Sequence, residues 1–468
     1  MTKDLWTDEP PRSHRADKHE RRKMRIASDA PEEYVGMLFE LLDVWRAKLP
    51  KNRLRQRYYD GRNKLKDFGI SIPPQLLTVE TVVGWPQKAV DALAVRSRFD
   101  GFSCGDDAVQ RRVDEIASRS RLKLKYRQGV QSELIHSCEF AVVGVDESDA
   151  ARIDFYNAQD AAAVWDDAAG RIAYGMTVDE WRDGEPVSVS VYTDEGRMVF
   201  YDTGAYYDWT FEPYAMGRVC MDVFAYRPTE TRPFGQSRVS RAVRSITDSA
   251  VRVALGGDVA YSFSVSPQKY LLGVDANTFA DTPKWEAYIG SILAVGRDEN
   301  GDIPQFGQLS QASMQQTVDY FRTLAARFSG ETNVPISTLG VIHDQPASAE
   351  AIYAANEPLI IECEDLNDNS RDTLRTLAQM AVAAEVGKPV DELMDAERDI
   401  VPNFKNPAMP SIVSQADAMV KLASVLPGFA DTNVFLEQLG FSEDIVRRVN
   451  AERREQQAAS LLDSIIEE

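Results

Sequence analysis

The chain is poor in the residues that most often carry chemistry. Its four histidines, His14, His19, His136 and His343, lie far apart. Their spacing forms neither a His-based metal site nor a triad. The four cysteines, Cys104, Cys138, Cys220 and Cys363, form no Cys-x-x-Cys pair and no zinc-ligand spacing, so free, mostly buried thiols in a reducing compartment are expected. A Gly-x-x-x-x-Gly-Lys-Ser/Thr loop is missing, as are His-Glu-x-x-His and Gly-x-Ser-x-Gly. No apolar run reaches the ~18 residues of a membrane span, and the polar start has no signal-peptide core. Basic charge is also short. Against 73 Asp and Glu stand 53 Lys and Arg, a net charge of −20. A dedicated sequence-specific DNA binder draws its affinity from phosphate contacts and carries the opposite balance. Two acidic runs mimic calcium loops and fail. Asp298–Asp302 has Ile303 and Leu309, and Asp365–Asn369 has Ser370 and Thr376, where the turn glycine and the bidentate glutamate belong. The first reads as a turn and the second as a solvated helix face. No catalytic residue, metal or cofactor is expected.

What is present is an α+β pattern long enough, at 468 residues, for two or three domains. Residues 1–30 are polar and mixed in charge, a flexible arm. A helix is predicted from Pro31 to Leu49, capped by Ser28 or Asp29, with Val35, Leu38, Phe39, Leu42 and Trp45 on one face. A short second element closes at Gly61. Helices follow from Gly84 and over Asp106–Ser120. From Glu139 to Arg227 the period falls to two. Strands are predicted at 140–145, 153–156, 187–192, 198–201 and 219–224, with Gly170 and Gly196 giving turns their positive φ. A helix then runs from Val239 to about Phe263, with an arginine row at Arg238, Arg241, Arg244 and Arg252. Lys269–Gly273 reads as a strand. Another helix covers 314–330 with Val318, Phe321 and Phe328 on one face. Helix 347–386 should kink or break at Pro358, and 388–468 reads as helical. The arginine row is either a solvated face with local pairs such as Arg244 to Asp248 or a surface for a neighbouring chain. The loop at 331–346 is oddly apolar for a surface loop.

Several segments in order resemble the portal proteins of siphophage-like tailed phages, of the kind found in actinobacterial phages. These are Tyr58-Tyr-Asp-Gly61, the run from Gly84 to Ala94 with Phe99-Asp-Gly-Phe102, the run from Arg232 to Val243, Pro267–Gly273, Pro346–Ile352 and Pro410–Leu422. Each is weak alone, and the order carries the resemblance. It implies a portal-like fold: an α/β wing over 31–238, stem helices at 239–264 and 314–330, and a small α/β clip at 265–313 between them. A tunnel loop at 331–346, a long helix at 347–387 and a helical crown at 388–468 would follow.

The resemblance also implies a homo-oligomeric ring, usually of twelve, at one capsid vertex of the virion, assembled in the host cytoplasm. Double-stranded DNA would pass through it without sequence preference. Terminase, major capsid and scaffolding proteins and head-completion or tail-joining proteins would be its partners; no membrane is implied. Thr338, Leu339, His343, Asp344 and Gln345 would face the tunnel. Arg238, Arg241, Arg244, Arg252, Val318, Phe321 and Phe328 are the candidates for the stem and subunit interface. In a ring, an acidic lumen would repel phosphate and let a duplex slide. Two other classes stay open: an adaptor of capsid or tail without a channel, and a nucleic-acid enzyme holding magnesium at clusters such as Asp106-Asp107, Asp166-Asp167 and Glu362-x-Glu364-Asp365.

Overall fold

In a computed structural model, the described residues are 24–62, 81–146, 148, 150–265, 269–272, 305–308, 314–340, 349–408 and, with gaps, 412–456. The chain forms two units, Met1–Pro407 and Ala408–Glu468. The first begins with α1 (Glu32–Tyr59), which continues through Pro50 as one helix where two elements were predicted. Its N-cap is Pro31, with no side-chain cap, so neither Ser28 nor Asp29 serves. The buried stripe is Tyr34, Leu38, Leu41, Leu42 and Trp45, while Phe39 falls outside it and is exposed.

Next come α2 (Trp85–Ala94), β1 (Phe99–Cys104), α3 (Asp107–Arg119) and α4 (Leu122–His136). Asp106 caps α3, its Oδ1 accepting from the amides of Ala108 at 2.8 Å and Val109 at 3.0 Å. Then follow β2 (Cys138–Val145), β3 (Ala151–Asn157), β4 (Ala161–Asp166), β5 (Arg171–Arg182), β6 (Glu185–Tyr192), β7 (Gly196–Asp202), β8 (Tyr207–Pro213) and β9 (Met221–Ala225). Strands β4 to β8 form an antiparallel meander in sequence order. The stripe of α1 packs on its inward residues Met176, Val189, Val191, Met198 and Phe200. Full burial of such side chains contributes about 1.5–3 kcal/mol each. Trp45 Nε1 and Asn52 Nδ2 donate to the carbonyls of Gln159 (2.6 Å) and Ala158 (2.9 Å), fixing α1 against the β3–β4 turn. Gly170 does take a positive φ of +64°. Gly196 does not; it is required because a Cβ there would lie 2.6 Å from the Glu212 carbonyl oxygen and from the Phe211 ring.

A second sheet, ordered β3-β2-β9, carries the main core. Helix α4 packs against it, and so does α7 (Ala349–Val386), reached after α5 (Arg241–Val265), β10 (Lys269–Leu272), β11 (Gln305–Gln308) and α6 (Gln315–Thr332). Helix α7 runs through Pro358 without ending. The lost amide bond is offset by the burial of Leu359, Ile360, Cys363 and Leu366 just beyond it. After α8 (Asp395–Arg398), β12 (Ile400–Phe404) pairs antiparallel with β1. The stretch after 388 is therefore not helical throughout: its first part closes the main unit against Phe99-Asp-Gly-Phe102. The second unit contains α9 (Ile412–Val425) and α10 (Asn433–Gln438), with Phe429 and Phe435 edge to face at 5.7 Å.

Candidate functional site

The feature set apart from the sheets is the pair α5 and α6. Ser240, just before α5, donates to Glu331 near the end of α6 at 3.3 Å. A Cβ on Gly257, late in α5, would lie 3.4 Å from Thr317 Cγ2 near the start of α6. The helices therefore run antiparallel. At 1.5 Å per residue α5 is about 37 Å long and α6 about 27 Å. At the far end of the segment, β10 and β11 pair antiparallel, Lys269 opposite Gln308.

The root of the pair is apolar. Val243, Ile246 and Ala250 of α5 meet Leu324, Ala325 and Phe328 of α6, with Trp85, Val334 and Leu339. Trp85 sits 5.1 Å from the Phe321 ring and 5.3 Å from that of Phe328. Further out the surface opens. Tyr261 is 63% exposed, Tyr320 52% and Val318 42%, and the groove between the helices encloses about 480 Å³ beside Val253, Gly257 and Thr317.

Beneath the root lies a polar anchor. The segment from Arg232 to Ser237 folds back on the end of β9. At Gly235 a Cβ would be 2.4 Å from the Tyr226 carbonyl oxygen, and φ is +66°. Gln236 N bonds that same oxygen at 2.8 Å, and Arg238 N bonds Leu134 O at 2.8 Å. The Arg238 side chain is thus carried inward. Its Nε donates to Ala89 O at 2.5 Å, one Nη to Thr332 O at 2.5 Å, and the other to Tyr226 Oη at 2.8 Å and to Glu362. Glu362 also accepts from Tyr226 Oη, from Asn333 Nδ2 at 3.2 Å and from Arg227 at 3.0 Å. Burial alone would raise its pKa. Arg238, the Tyr226 hydroxyl and Arg227 outweigh that and hold the carboxyl below its ordinary value. One guanidinium therefore joins α2, the loop after β9, the end of α6 and the middle of α7.

The sequence candidates scatter over these layers. Arg238 has no surface to offer a neighbour, since Glu362 of its own chain neutralises it. Phe328 is fully buried and Phe321 half-buried, both within the root. Arg241 and Arg252 are exposed. Arg244 is half-buried, its guanidinium 5.8 Å from the Tyr58 ring centroid. Tyr58 Oη donates to Asp248 at 2.9 Å. Burial, and then that bond, push the Tyr58 hydroxyl up to about 12. The local arrangement is therefore a Tyr58–Asp248 bond beside Arg244.

Of the tunnel-loop candidates, Leu339 is buried in the root, because a 3-10 turn over Ile336–Leu339 points it at Phe328 and Val334. Thr338 is exposed and donates to Pro335 O at 2.7 Å. His343, Asp344 and Gln345 lie outside the described residues. Helix α6 ends at Thr332, with Asn333 left-handed at φ 56°, and so passes Gly330. In the run Asp365–Asn369, Asn367 is not on a solvated face. It is buried and accepts from Ser97 Oγ at 2.6 Å. Among the described residues no group of three or more His, Cys, Asp or Glu gathers as a metal site, and no helix is long and apolar enough to cross a membrane. Glu362, which the sequence offered only as part of an acidic cluster for magnesium, is instead the partner of Arg238, 124 residues away; no local pattern signals that pairing.

A family model described as "Phage portal protein, SPP1 Gp6-like" matches residues 38–237. The protein named "Portal protein" of Mycobacterium phage D29 is 23% identical over 438 residues, covering 90% of this chain and 88% of its own. The one of Mycobacterium phage L5 is 24% identical over 388 residues, 78% of this chain and 77% of its own. Among solved structures, a chain from the "Neck of empty GTA particle computed with C6 symmetry" aligns with 80% of this chain and 95% of its own, at 13% identity and a TM-score of 0.42. The family model over residues 38–237 and the two relatives make the chain similar to phage portal proteins.

Proposed function

We propose that the chain works as one subunit of a closed ring, about twelve in number, whose lumen conducts double-stranded DNA into the capsid and out again. The ring docks the terminase motor during packaging and later receives head-completion proteins. The α5/α6 pair is its stem, the chain beyond Gly340 its tunnel loop, and residues 408–468 its crown. Capsid and scaffolding proteins meet it at the vertex, and assembly takes place in the host cytoplasm. The observation that supports this reading is the stem itself: two antiparallel helices rooted in the body, with Tyr261, Val318 and Tyr320 exposed further out. Apolar surface of that kind suits head-to-tail contacts that close by rotation. DNA contact in such a channel is through phosphate and shape rather than base edges, which fits an acidic chain.

Electron microscopy across a concentration series tests the proposal. Closed rings with a hole wide enough for a duplex of about 20 Å are expected. Monomers or open oligomers even with capsid and scaffolding proteins co-expressed would overturn it. Arg241→Glu should lower the yield of rings by placing a negative charge on the stem of an acidic chain. Unchanged yield would remove Arg241 from the subunit contact.

A further inference from the structure

A cavity of about 420 Å³ opens between α1, α4, β2 and β3. It plays no part in the stem or its anchor. Glu139 on β2 lines it and is 5% exposed. Its Oε2 and the Ser132 Oγ beside it find no hydrogen-bond partner within the chain among the described residues. An unpartnered buried carboxylate costs free energy, and here the nearby cations are turned away. Lys125, on the cavity wall, is bound to Asp154 and to Ile153 O at 3.0 Å. Arg55 of α1 donates to His136 O at 2.6 Å and to Asn52 Oδ1 at 3.2 Å. Two amide donors of the wall are spent as well, Gln131 Nε2 on Asp91 at 2.9 Å and Asn157 Nδ2 on Asp160 at 2.6 Å. The cavity leaves open the Glu139 oxygen and the Ser132 hydroxyl, with His136 Nδ1 also unbonded.

We propose that this cavity is a binding site for a guanidinium or primary ammonium group, which Glu139 and Ser132 hold inside it. Such a group brings only donors and one positive charge, the complement of the unpartnered Glu139 oxygen. Asp160 supplies a negative field. Glu133 on α4 is buried near Glu139 with neither oxygen bonded, and burial, then Glu139, push its carboxyl well above the ordinary value. His136 is kept neutral, its pKa lowered to about 4 by burial and then by Arg55, so it offers no competing charge. Without a ligand Glu139 keeps its proton, since burial outweighs the lowering effect of the neighbouring Ser132 hydroxyl and, with Asp160 adding to it, raises its pKa to about 8. Binding a cation then releases that proton.

The ligand group has two sources, a free small cation or a side chain of a second copy of the chain. Calorimetry with butylguanidine, and with butylurea as its neutral isostere, tests the chemistry on the whole protein. Saturable binding of butylguanidine is expected, with about one proton released at pH 7 and affinity rising about tenfold per pH unit up to about pH 8. Butylurea and the Glu139→Gln variant should bind at least tenfold more weakly, with no pH dependence. Binding without proton release, or equal binding of butylurea, would overturn the proposal. The proton count is read on the unaltered protein, so it stands even if the variant fails to fold. Electron microscopy of the variant separates the sources. Unchanged rings with lost butylguanidine binding mark a free cation, and lost rings mark a neighbour's side chain. Failure of the ring reading leaves the calorimetry untouched.

Discussion

Arg238 and Glu139 are each 5% exposed, yet the chain treats them in opposite ways. Every donor face of Arg238 meets an acceptor, and the carboxylate opposite it is bonded from three sides. Glu139 faces a cavity with an oxygen unmatched, beside a second glutamate in the same condition. The first arrangement locks four elements together. The second stores unmet electrostatic demand. Burial alone therefore does not tell structural charge from receptive charge; the count of satisfied partners does.

The largest effect that would break this contrast comes from Arg238→Met. Ala89 O and Thr332 O lose the Arg238 donor, and Glu362 loses the one buried cation among its four donors, so a loss of about 3–5 kcal/mol is expected in urea unfolding. A loss under about 1 kcal/mol would mean the anchor is only decorative. Arg238→Lys should recover only part, since an ammonium cannot span four acceptors set for a planar fork.

Next comes Glu139→Gln, which should act in the other direction. The folded pKa of Glu139, about 8, lies above its ordinary 4.5. Its contribution is therefore fully present below pH 4.5 and is lost as pH rises through 8. The variant escapes that loss, so it should be more stable than the parent by about 2–4 kcal/mol at pH 9 and nearly equal at pH 4.5. Equal thermal midpoints at pH 9 would contradict it.

Glu362 has the reverse sign. Its folded pKa is depressed below 4.5, so its contribution is present above pH 4.5 and is lost as pH falls through the depressed value. Glu362→Gln should flatten the acid limb of stability. An unchanged acid limb would show that the pair is not what acid breaks. The smallest effect is expected at an exposed pair, Arg371 with Asp368 three residues earlier on α7. Asp368→Asn should change unfolding by less than about 0.5 kcal/mol, which gives the baseline for the other variants.

Much of the secondary structure was legible in the sequence because it is periodic. Strands β2, β3, β6, β7 and β9 announce themselves by alternation, and the faces of α5 and α6 by three-to-four spacing. Strands β1, β4, β5 and β8 were missed. Ala161-Ala-Ala-Val-Trp has little β-branched content, and its place is fixed by partners across the sheet. β12 was read as helical because its pairing with β1 spans 300 residues, which no local pattern encodes. The first helix was expected to end at Leu49 and the long one to kink or break at Pro358, whereas both run on unbroken through Pro50 and Pro358. The site was less legible than the fold. Arg238 stood out as one of a row, but only Glu362, Ala89 and Thr332 arriving from elsewhere make it an anchor. Leu339 looked like a loop tip until the turn at Ile336 directed it inward. Glu139 and Ser132 carried no signal, since an unpartnered group is visible only when its surroundings are.

Arg238 and Thr332 are 94 residues apart and share one hydrogen bond. The chain thus leaves the body and re-enters it at a single gate. For a segment that departs and returns at one point, changing its length costs little, about 0.6 kcal/mol per doubling in loop-closure terms. The body is indifferent to how far the excursion reaches. Selection can lengthen, shorten or exchange it as a cassette to match the span required, while the two sheets and their cores stay as they are.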